Sequence, residues 1–361
     1  MAVEEPVSPH NKFVARLNFV KPSIPAETTT LTSGTVFALS GSNGDILAHS
    51  HHGFYAHDTR FLSVFQVRLD GRPLLNTGSA VFNDRLASFY CNTGGISLVR
   101  DRYVSDHLHE DIYLVNNAPA ARKVRLELTF AADFADIFEV RRGQFQKVGD
   151  VRIEPREGQD IALVYRRGDF IRETWINFSA EPRIKGSTAV IEVALEPKVT
   201  WQTCLDISPV ADGKNGQGPC VVSIQSPPFY ARKREKVMVG VFEQVPVDAP
   251  LETVPELSTD NLELCQAYYR AVSDLRSLRL KQDDHYLLAA GLPWFMAIFG
   301  RDAIISALQT KLLGPELMLG TLRTLADLQA NASDPFREAQ PGKILHEARR
   351  GELSLFEHVP H

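Results

Sequence analysis

Chemistry concentrates in one stretch of the sequence, Gly291-Leu-Pro-Trp-Phe-Met-Ala-Ile-Phe-Gly-Arg-Asp-Ala-Ile-Ile-Ser-Ala-Leu-Gln-Thr310. Apolar and aromatic residues run into a glycine, and Arg301-Asp302 then opens a helical pattern. An adjacent Arg and Asp among apolar neighbours are costly to bury unless they are paired and hydrogen-bonded. A sugar site uses both, because the guanidinium fork donates and the carboxylate accepts, which suits vicinal hydroxyls, while Trp294 can stack on a pyranose face. The bland alternative is a helix N-cap at Asp302 with Arg301 as a surface partner, and spacing alone leaves both open.

Two other groupings carry chemistry-bearing side chains. His49, His51, His52 and His57 are dense but fit no HExxH or other ligand spacing and have few carboxylates near them, so no metal is assigned there. Asp133, Asp136, Glu139, Arg141 and Arg142 either reach into a substrate cleft or form an ion network between domains. Asp58 and Arg60 read as a structural pair. The four cysteines, Cys91, Cys204, Cys220 and Cys265, are far apart and form no CxxC, which points to reduced, structural thiols.

The elements that must position these residues follow from hydrophobic periodicity. From about 34 to 246 the apolar pattern has period two between turn residues, the mark of antiparallel strands. Val124, Leu126, Leu128 and Phe130, alternating with Lys123, Arg125, Glu127 and Thr129, predict a strand with one buried face. Further strands are expected at 98–104, 111–116, 161–166, 174–179, 189–195, 200–207 and 236–243, and Asn43-Gly44 and Asp70-Gly71 suit type I′ hairpin turns. Many short strands of this kind predict a β-sandwich.

The run from Val245 to Pro255 holds three prolines in eleven residues and reads as a linker, with 247–259 joining the two regions. Beyond it, residues 260–361 are expected to be helical. Asp260 and Glu263 resemble a capping box, with Leu264, Tyr268, Ala271, Leu275 and Leu278 on one face. A second helix from Asp302 is expected to turn Ile304, Ile305, Leu308 and Leu312 inward and to stop at Gly314. A third, after Pro315, places Met318, Leu322, Leu325 and Gln329 on a stripe, so that 302–331 makes an αα-hairpin.

Whole-chain properties exclude several classes. A net charge of -5, from 39 basic and 44 acidic residues, offers no cationic surface for nucleic acid. No basic n-region and apolar h-region mark the start, and no stretch is long and apolar enough for a membrane span, so a cytoplasmic protein is expected.

Pro293-Trp294 with Phe299-Gly300-Arg301-Asp302 resembles the Trp-x-Arg-Asp segment that opens an inner helix in glucoamylases and related six-hairpin glycosidases. It is more similar still to the amylo-α-1,6-glucosidase domain of bacterial glycogen-debranching enzymes. Asp334-Pro335, Pro341-Gly-Lys-Ile-Leu-His-Glu347 and Arg349-Arg-Gly-Glu-Leu353 match in order. Upstream, Tyr55-x-x-Asp58-Thr-Arg-Phe-Leu62 and Ala132-Asp-Phe-Ala-Asp-Ile-Phe-Glu-Val-Arg141 resemble the N-terminal domain that accompanies it.

The resemblance implies an N-terminal β-sandwich domain at 34–246, behind a lead-in at 1–33, followed from 260 by the first helices of an (α/α)6 barrel. About twelve helices make such a barrel and about three fit here, so a truncated chain is the expectation. The family's inverting mechanism uses one carboxylic acid and one carboxylate, which by resemblance lie beyond residue 361, so no acid present is assigned as catalytic. Substrate binding is assigned by resemblance to Arg301 and Asp302, with Trp294, His346 and Glu347 bordering the cleft. An α-glucan is the implied partner, and no cofactor is implied. The competing readings are a non-catalytic carbohydrate-binding or scaffold module, and a six-hairpin hydrolase acting on another α-glycoside.

Overall fold

The computed structural model describes residues 27–48, 51–156, 160–211, 214–215 and 254–360. The strand expected at 236–243, most of the linker, His49 and Cys220 lie outside the described residues.

The described residues from 27 to 211 form mostly antiparallel sheets, as their period-two pattern requires. A nine-stranded sheet runs in the order Asp150–Pro155, Ile161–Arg167, Phe170–Phe178, Thr200–Ala211, Leu108–Asn116, Ile96–Val104, Leu86–Thr93 and Leu75–Val81, with Lys214–Asn215 pairing Thr200–Ala211. A five-stranded sheet runs Arg183–Lys185, Thr188–Leu195, Arg122–Ala131, Val64–Leu69 and Arg72–Pro73. Val124, Leu126, Leu128 and Phe130 are all buried, and they meet Leu98, Leu108, Ile112, Ile161, Leu205 and Ile207 of the larger sheet in one core. Alternation has thus turned one face of each sheet inward, the arrangement of a sandwich. Inside it lies an ion network: Glu110 accepts from Arg100 and, at 2.7 Å, from Arg102 Nε, while Arg100 Nη1 donates to Asp45 Oδ1 at 2.7 Å.

A four-stranded sheet, Thr29–Ser33, Val36–Ser40, Gly53–Ala56 and Thr59–Leu62, is the seam between this core and the rest of the chain. Its side chains divide by parity. Leu31, Val36, Ala38, Phe54 and Ala56 join the sandwich core, whereas Phe37, Leu39 and Tyr55 face a second cluster with Leu280, Leu287, Ala289, Met296 and Ala303. The sheet is therefore buried on both faces, by two distinct apolar clusters, one in the β region and one drawing on the 280–303 region.

Asp70 and Gly71 take positive φ values of 51° and 74° at the end of Val64–Leu69, as a type I′ turn requires. Asn43-Gly44 departs from that expectation. Only Gly44 has positive φ, and Asn43 Oδ1 instead accepts from Asp45 N at 3.0 Å, so a side chain closes the turn.

After the linker the chain is mixed rather than wholly helical. Leu262–Ser277 is a helix, but its cap is Asn261, whose Oδ1 accepts from Leu264 N at 3.0 Å, in place of Asp260. A β-hairpin, Arg279–Gln282 with His285–Leu288, follows it. The helix Gly300–Gln309 passes through the short 3-10 turn Lys311–Leu313 to the helix Glu316–Asp327, and the last helix is Glu352–Leu355.

The faces of these helices differ from expectation. Ile304, Ile305, Leu308 and Leu312 are exposed, and the buried side of Gly300–Gln309 is the small set Gly300, Ala303 and Ala307. In Glu316–Asp327 the buried residues are Leu317, Gly320, Thr321, Thr324 and Leu325, so of the expected stripe Leu325 alone is buried and Leu322 is exposed. Small residues let backbones approach. A Cβ on Gly320 would lie 2.1 Å from the Tyr286 carbonyl oxygen, so this helix rests directly on the hairpin. Similarly, Val272 and Ser277 are the buried residues of Leu262–Ser277, and Leu264 is exposed. No helix among the described residues is long and apolar enough to cross a membrane.

Candidate functional site

The segments singled out in the sequence are brought together by a two-residue ladder. Ile298–Phe299 pairs antiparallel with Glu347–Ala348, and Gly300 N donates to His346 O at 3.1 Å. A Cβ on Gly300 would sit 2.3 Å from the Leu345 carbonyl oxygen, so glycine is what permits this approach. The helix that starts here has Phe299 at its N-cap and no side-chain cap. Asp302 is therefore not the N-cap; it lies in the first turn, where a carboxylate complements the helix dipole.

Beside the ladder is a cleft of about 470 Å³ whose walls include Arg301, Ile304, Ile305, Glu338, Lys343 and His346. Arg301 and His346, far apart in sequence, thus border one space. It offers cationic donors from Arg301 and Lys343, a carboxylate from Glu338, an imidazole, and the apolar side chains of Ile304, Ile305, Ile344 and Leu345. That mixture is suited to a small polar ligand with hydroxyl groups. The other three assigned residues do not line it. Asp302 is half-buried in the adjacent turn. Trp294 is half-buried in the second apolar cluster, its ring edge-on to His51 at 4.6 Å between centroids. Glu347 Oε2 accepts from Arg349 Nε at 2.7 Å.

Arg349 was not singled out as a site residue, yet it ties the region together. Its buried guanidinium also donates through Nη1 to Asp58 Oδ1 at 2.8 Å and through Nη2 to the Trp294 carbonyl at 2.9 Å. It lies over the rings of Phe138 and Phe299 at 5.1 and 5.2 Å. Asp58 therefore belongs to this cross-chain clamp rather than to a pair with Arg60, and its Oδ2 also accepts from Arg350 N at 2.8 Å. Arg60 pairs with Asp133 instead. The signal in the sequence was the Arg349-Arg350 doublet directly after His-Glu-Ala, but a single chain does not reveal the distant Asp58.

The acidic and basic segment at 133–142 divides between its two readings. Asp136 caps the helix Ile137–Arg142 through Phe138 N at 2.9 Å, and its other oxygen accepts from Leu353 N at 3.0 Å. Burial pushes the Asp136 carboxyl up to about 6, against the two backbone donors that lower it. Glu139 completes the capping box and accepts from Gln146 N at 2.8 Å. Arg141 and Arg142, with Phe138 and Gln144, line a second cleft of about 480 Å³, and Arg141 lies 5.0 Å over the Phe295 ring. The acids thus hold the seam while the arginines face open space.

Glu352 is a further anchor. It receives Lys147 Nζ at 2.5 Å, Tyr165 hydroxyl at 2.6 Å and Arg167 Nη1 at 3.0 Å. Burial would raise its carboxyl, but these partners outweigh that and hold it below the usual range. Of the histidines, His57 Nδ1 lies 3.5 Å from Thr35 Oγ1, and the His51 and His52 carbonyls accept from Tyr55 and Arg60.

Among solved structures, 52% of the chain overlays 30% of a human-microbiome protein described as a kojibiose phosphorylase, at 10% identity and TM-score 0.36. An Escherichia coli K12 protein described as an aldose 1-epimerase matches over 51% of this chain and 99% of its own, at 7% identity and TM-score 0.32. A heparan sulfate lyase mutant from Pedobacter heparinus matches over 51% of this chain and 30% of its own, at 8% identity and TM-score 0.26. No curated protein matches the chain. In sequence, residues 31–206 match the family model of the N-terminal domain of (some) glycogen debranching enzymes.

Proposed function

We propose that the chain is part of a cytoplasmic glycoside hydrolase of the amylo-α-1,6-glucosidase, glycogen-debranching type. In this reading the sandwich is the N-terminal accessory domain, and the region after about 260 contributes the substrate-binding segments 294–302 and 346–347. The match of residues 31–206 to the debranching-enzyme domain carries the proposal. The shared cleft of Arg301 and His346 supports it, since these two come from separate resemblance motifs.

In the proposed site Arg301 donates to hydroxyls of a terminal glucose, and Asp302, one residue on in the first turn of the same helix, is the proposed acceptor. Inverting hydrolysis then needs one carboxylic acid to protonate the glycosidic oxygen and one carboxylate to activate water, about 6.5 to 9.5 Å apart. None of the acids described above is given either role. Glu347 and Asp58 are engaged by Arg349, and Asp136 and Glu352 hold the seam.

Titration of the purified chain with maltotriose and with a branched limit dextrin tests the site. Arg301→Ala and Asp302→Ala are each expected to weaken binding by about 1.5 to 3 kcal/mol, the worth of hydrogen bonds to charged groups. Unchanged affinity in both variants sinks the assignment. The chain is expected to bind the dextrin without releasing glucose, because inverting hydrolysis needs two catalytic carboxyl groups and none is assigned among the acids described; glucose release at an enzymatic rate would overturn that assignment.

A further inference from the structure

The outer face of the nine-stranded sheet carries a cluster that the glucan reading does not use. His109 and Asp111 are two apart on Leu108–Asn116 and share a face, and the register sets Asp206 opposite His109 and Cys204 opposite Asp111. Leu108 and Ile112, of opposite parity, point into the core. One ligand atom each from His109, Asp111 and Cys204 lies within 4.8 Å of the others, with His109 Nε2 3.5 Å from Asp111 Oδ1. The other ring nitrogen, Nδ1, is 2.6 Å from Asp206 Oδ1.

The geometry points to a divalent-cation site, best suited to Zn²⁺, formed by His109 Nε2, Asp111 and Cys204 Sγ, with Asp206 orienting the imidazole from behind. A tetrahedral ion with ligands at about 2.0 to 2.3 Å separates its donor atoms by about 3.3 to 3.8 Å, so the His109–Asp111 spacing already fits, and the Cys204 thiol lies within 4.8 Å of both other donors. Imidazole, carboxylate and thiolate on a borderline ion are a usual zinc donor set, and three protein ligands leave a fourth position for water. A carboxylate behind the ligating histidine is the common outer partner in such sites. An imidazole held between the carboxylates of Asp111 and Asp206 accounts for those three residues but does not require Cys204 on the same spot.

The surroundings are anionic. Asp101, the register partner of Asp111, faces the same way and accepts from Ser88 Oγ at 2.5 Å, and His107 Nε2 stands 3.7 Å from Asp206 Oδ1 with Asp106 on its far side. Asp111 is only half-buried while His109 and Cys204 are buried, which gives an ion a route in past the carboxylate. Loading releases the thiol proton of Cys204 and any proton on His109 Nε2, since thiolate and neutral imidazole are the ligating forms. The ion would cross-link the central strands Leu108–Asn116 and Thr200–Ala211.

The test uses the full chain without a histidine tag, titrated with Co²⁺ and then with Zn²⁺. One Co²⁺ per chain is expected, with a thiolate-to-cobalt charge-transfer band that Zn²⁺ abolishes. Cys204→Ser should remove the band, Asp206→Asn should weaken affinity about 10- to 100-fold, and Cys265→Ser should change neither. Absence of the band in the unsubstituted chain overturns the inference without any variant having to fold. Persistence of the band in Cys204→Ser overturns it equally.

Discussion

Asp136 and Glu110 show at the scale of single residues how buried charge is used here. The Asp136 carboxyl is pushed up to about 6 from an ordinary 3.8, chiefly by burial. A raised carboxyl contributes stability that is complete below about pH 4 and is lost as pH rises through about 6. Asp136→Asn should therefore gain on the parent chain over that window, by about 3 kcal/mol between pH 4 and pH 7 if the shift is expressed in full. Denaturant melts at several pH values measure it, and a pH-independent difference would count against the burial account. Glu110 is different, because both of its arginine partners are fully buried with it. Removing the shared carboxylate by Glu110→Gln leaves the buried Arg102 without a carboxylate and Arg100 with Asp45 alone, and should cost about 3 to 5 kcal/mol. A midpoint close to that of the parent chain would show that the charges find other partners.

At the scale of elements, the last helix and the ladder at 298–299 are held by few contacts of high value. Glu352 gathers Lys147, Tyr165 and Arg167 from the sandwich onto the 347–360 segment. Its carboxyl is held low, so this anchoring is present above about pH 4.5 and is lost on acidification, the opposite sense to Asp136. Glu352→Ala leaves Arg167 and the Tyr165 hydroxyl without this acceptor and Lys147 with Glu139 alone, and a loss of about 3 kcal/mol corresponds to opening of the segment roughly 100-fold more often. Tryptic cleavage after Arg349 or Arg350 should accelerate accordingly; an unchanged rate would mean that Arg349 and Asp58 hold the segment alone. Gly300→Ala acts on the other side. The new methyl meets the Leu345 carbonyl, which must retreat, and about 1 to 3 kcal/mol of stability should go with it. The cleft shared by Arg301 and His346 should lose glucan affinity in the same variant, read by the titration that tests Arg301 itself.

At the scale of the molecule, the two halves differ in how completely they bury their apolar residues. The sandwich encloses a continuous core, whereas Leu264, Ile305, Leu308, Leu312 and Leu322 of the helical region stand exposed. Contiguous apolar surface beyond a few hundred Å² is unusual on a monomer. Concentration-dependent self-association is therefore expected in sedimentation experiments on the chain. Ile305→Lys with Leu308→Glu and Leu312→Lys should reduce it, with no change in the far-ultraviolet signal of the sheets. Equal association by parent and variant would place the contact elsewhere.

The sequence by itself determined the sandwich, because period-two alternation such as Val124 to Phe130 commits a face of each strand whatever its partner. It also pointed to helices after the proline-rich stretch, but not to the β-hairpin Arg279–Gln282 with His285–Leu288 that lies among them. Pairing across distance was decided only in the tertiary structure. Nothing local to Asp58 names Arg349, and nothing local to His109 names Cys204, because strand register and the seam sheet bring them together. The faces of the helices fell to the same cause. Period 3.6 marks Ile304, Ile305, Leu308 and Leu312 as a stripe, but the side that packs is chosen by how closely two backbones can approach, and there Gly300, Ala303 and Ala307 prevailed.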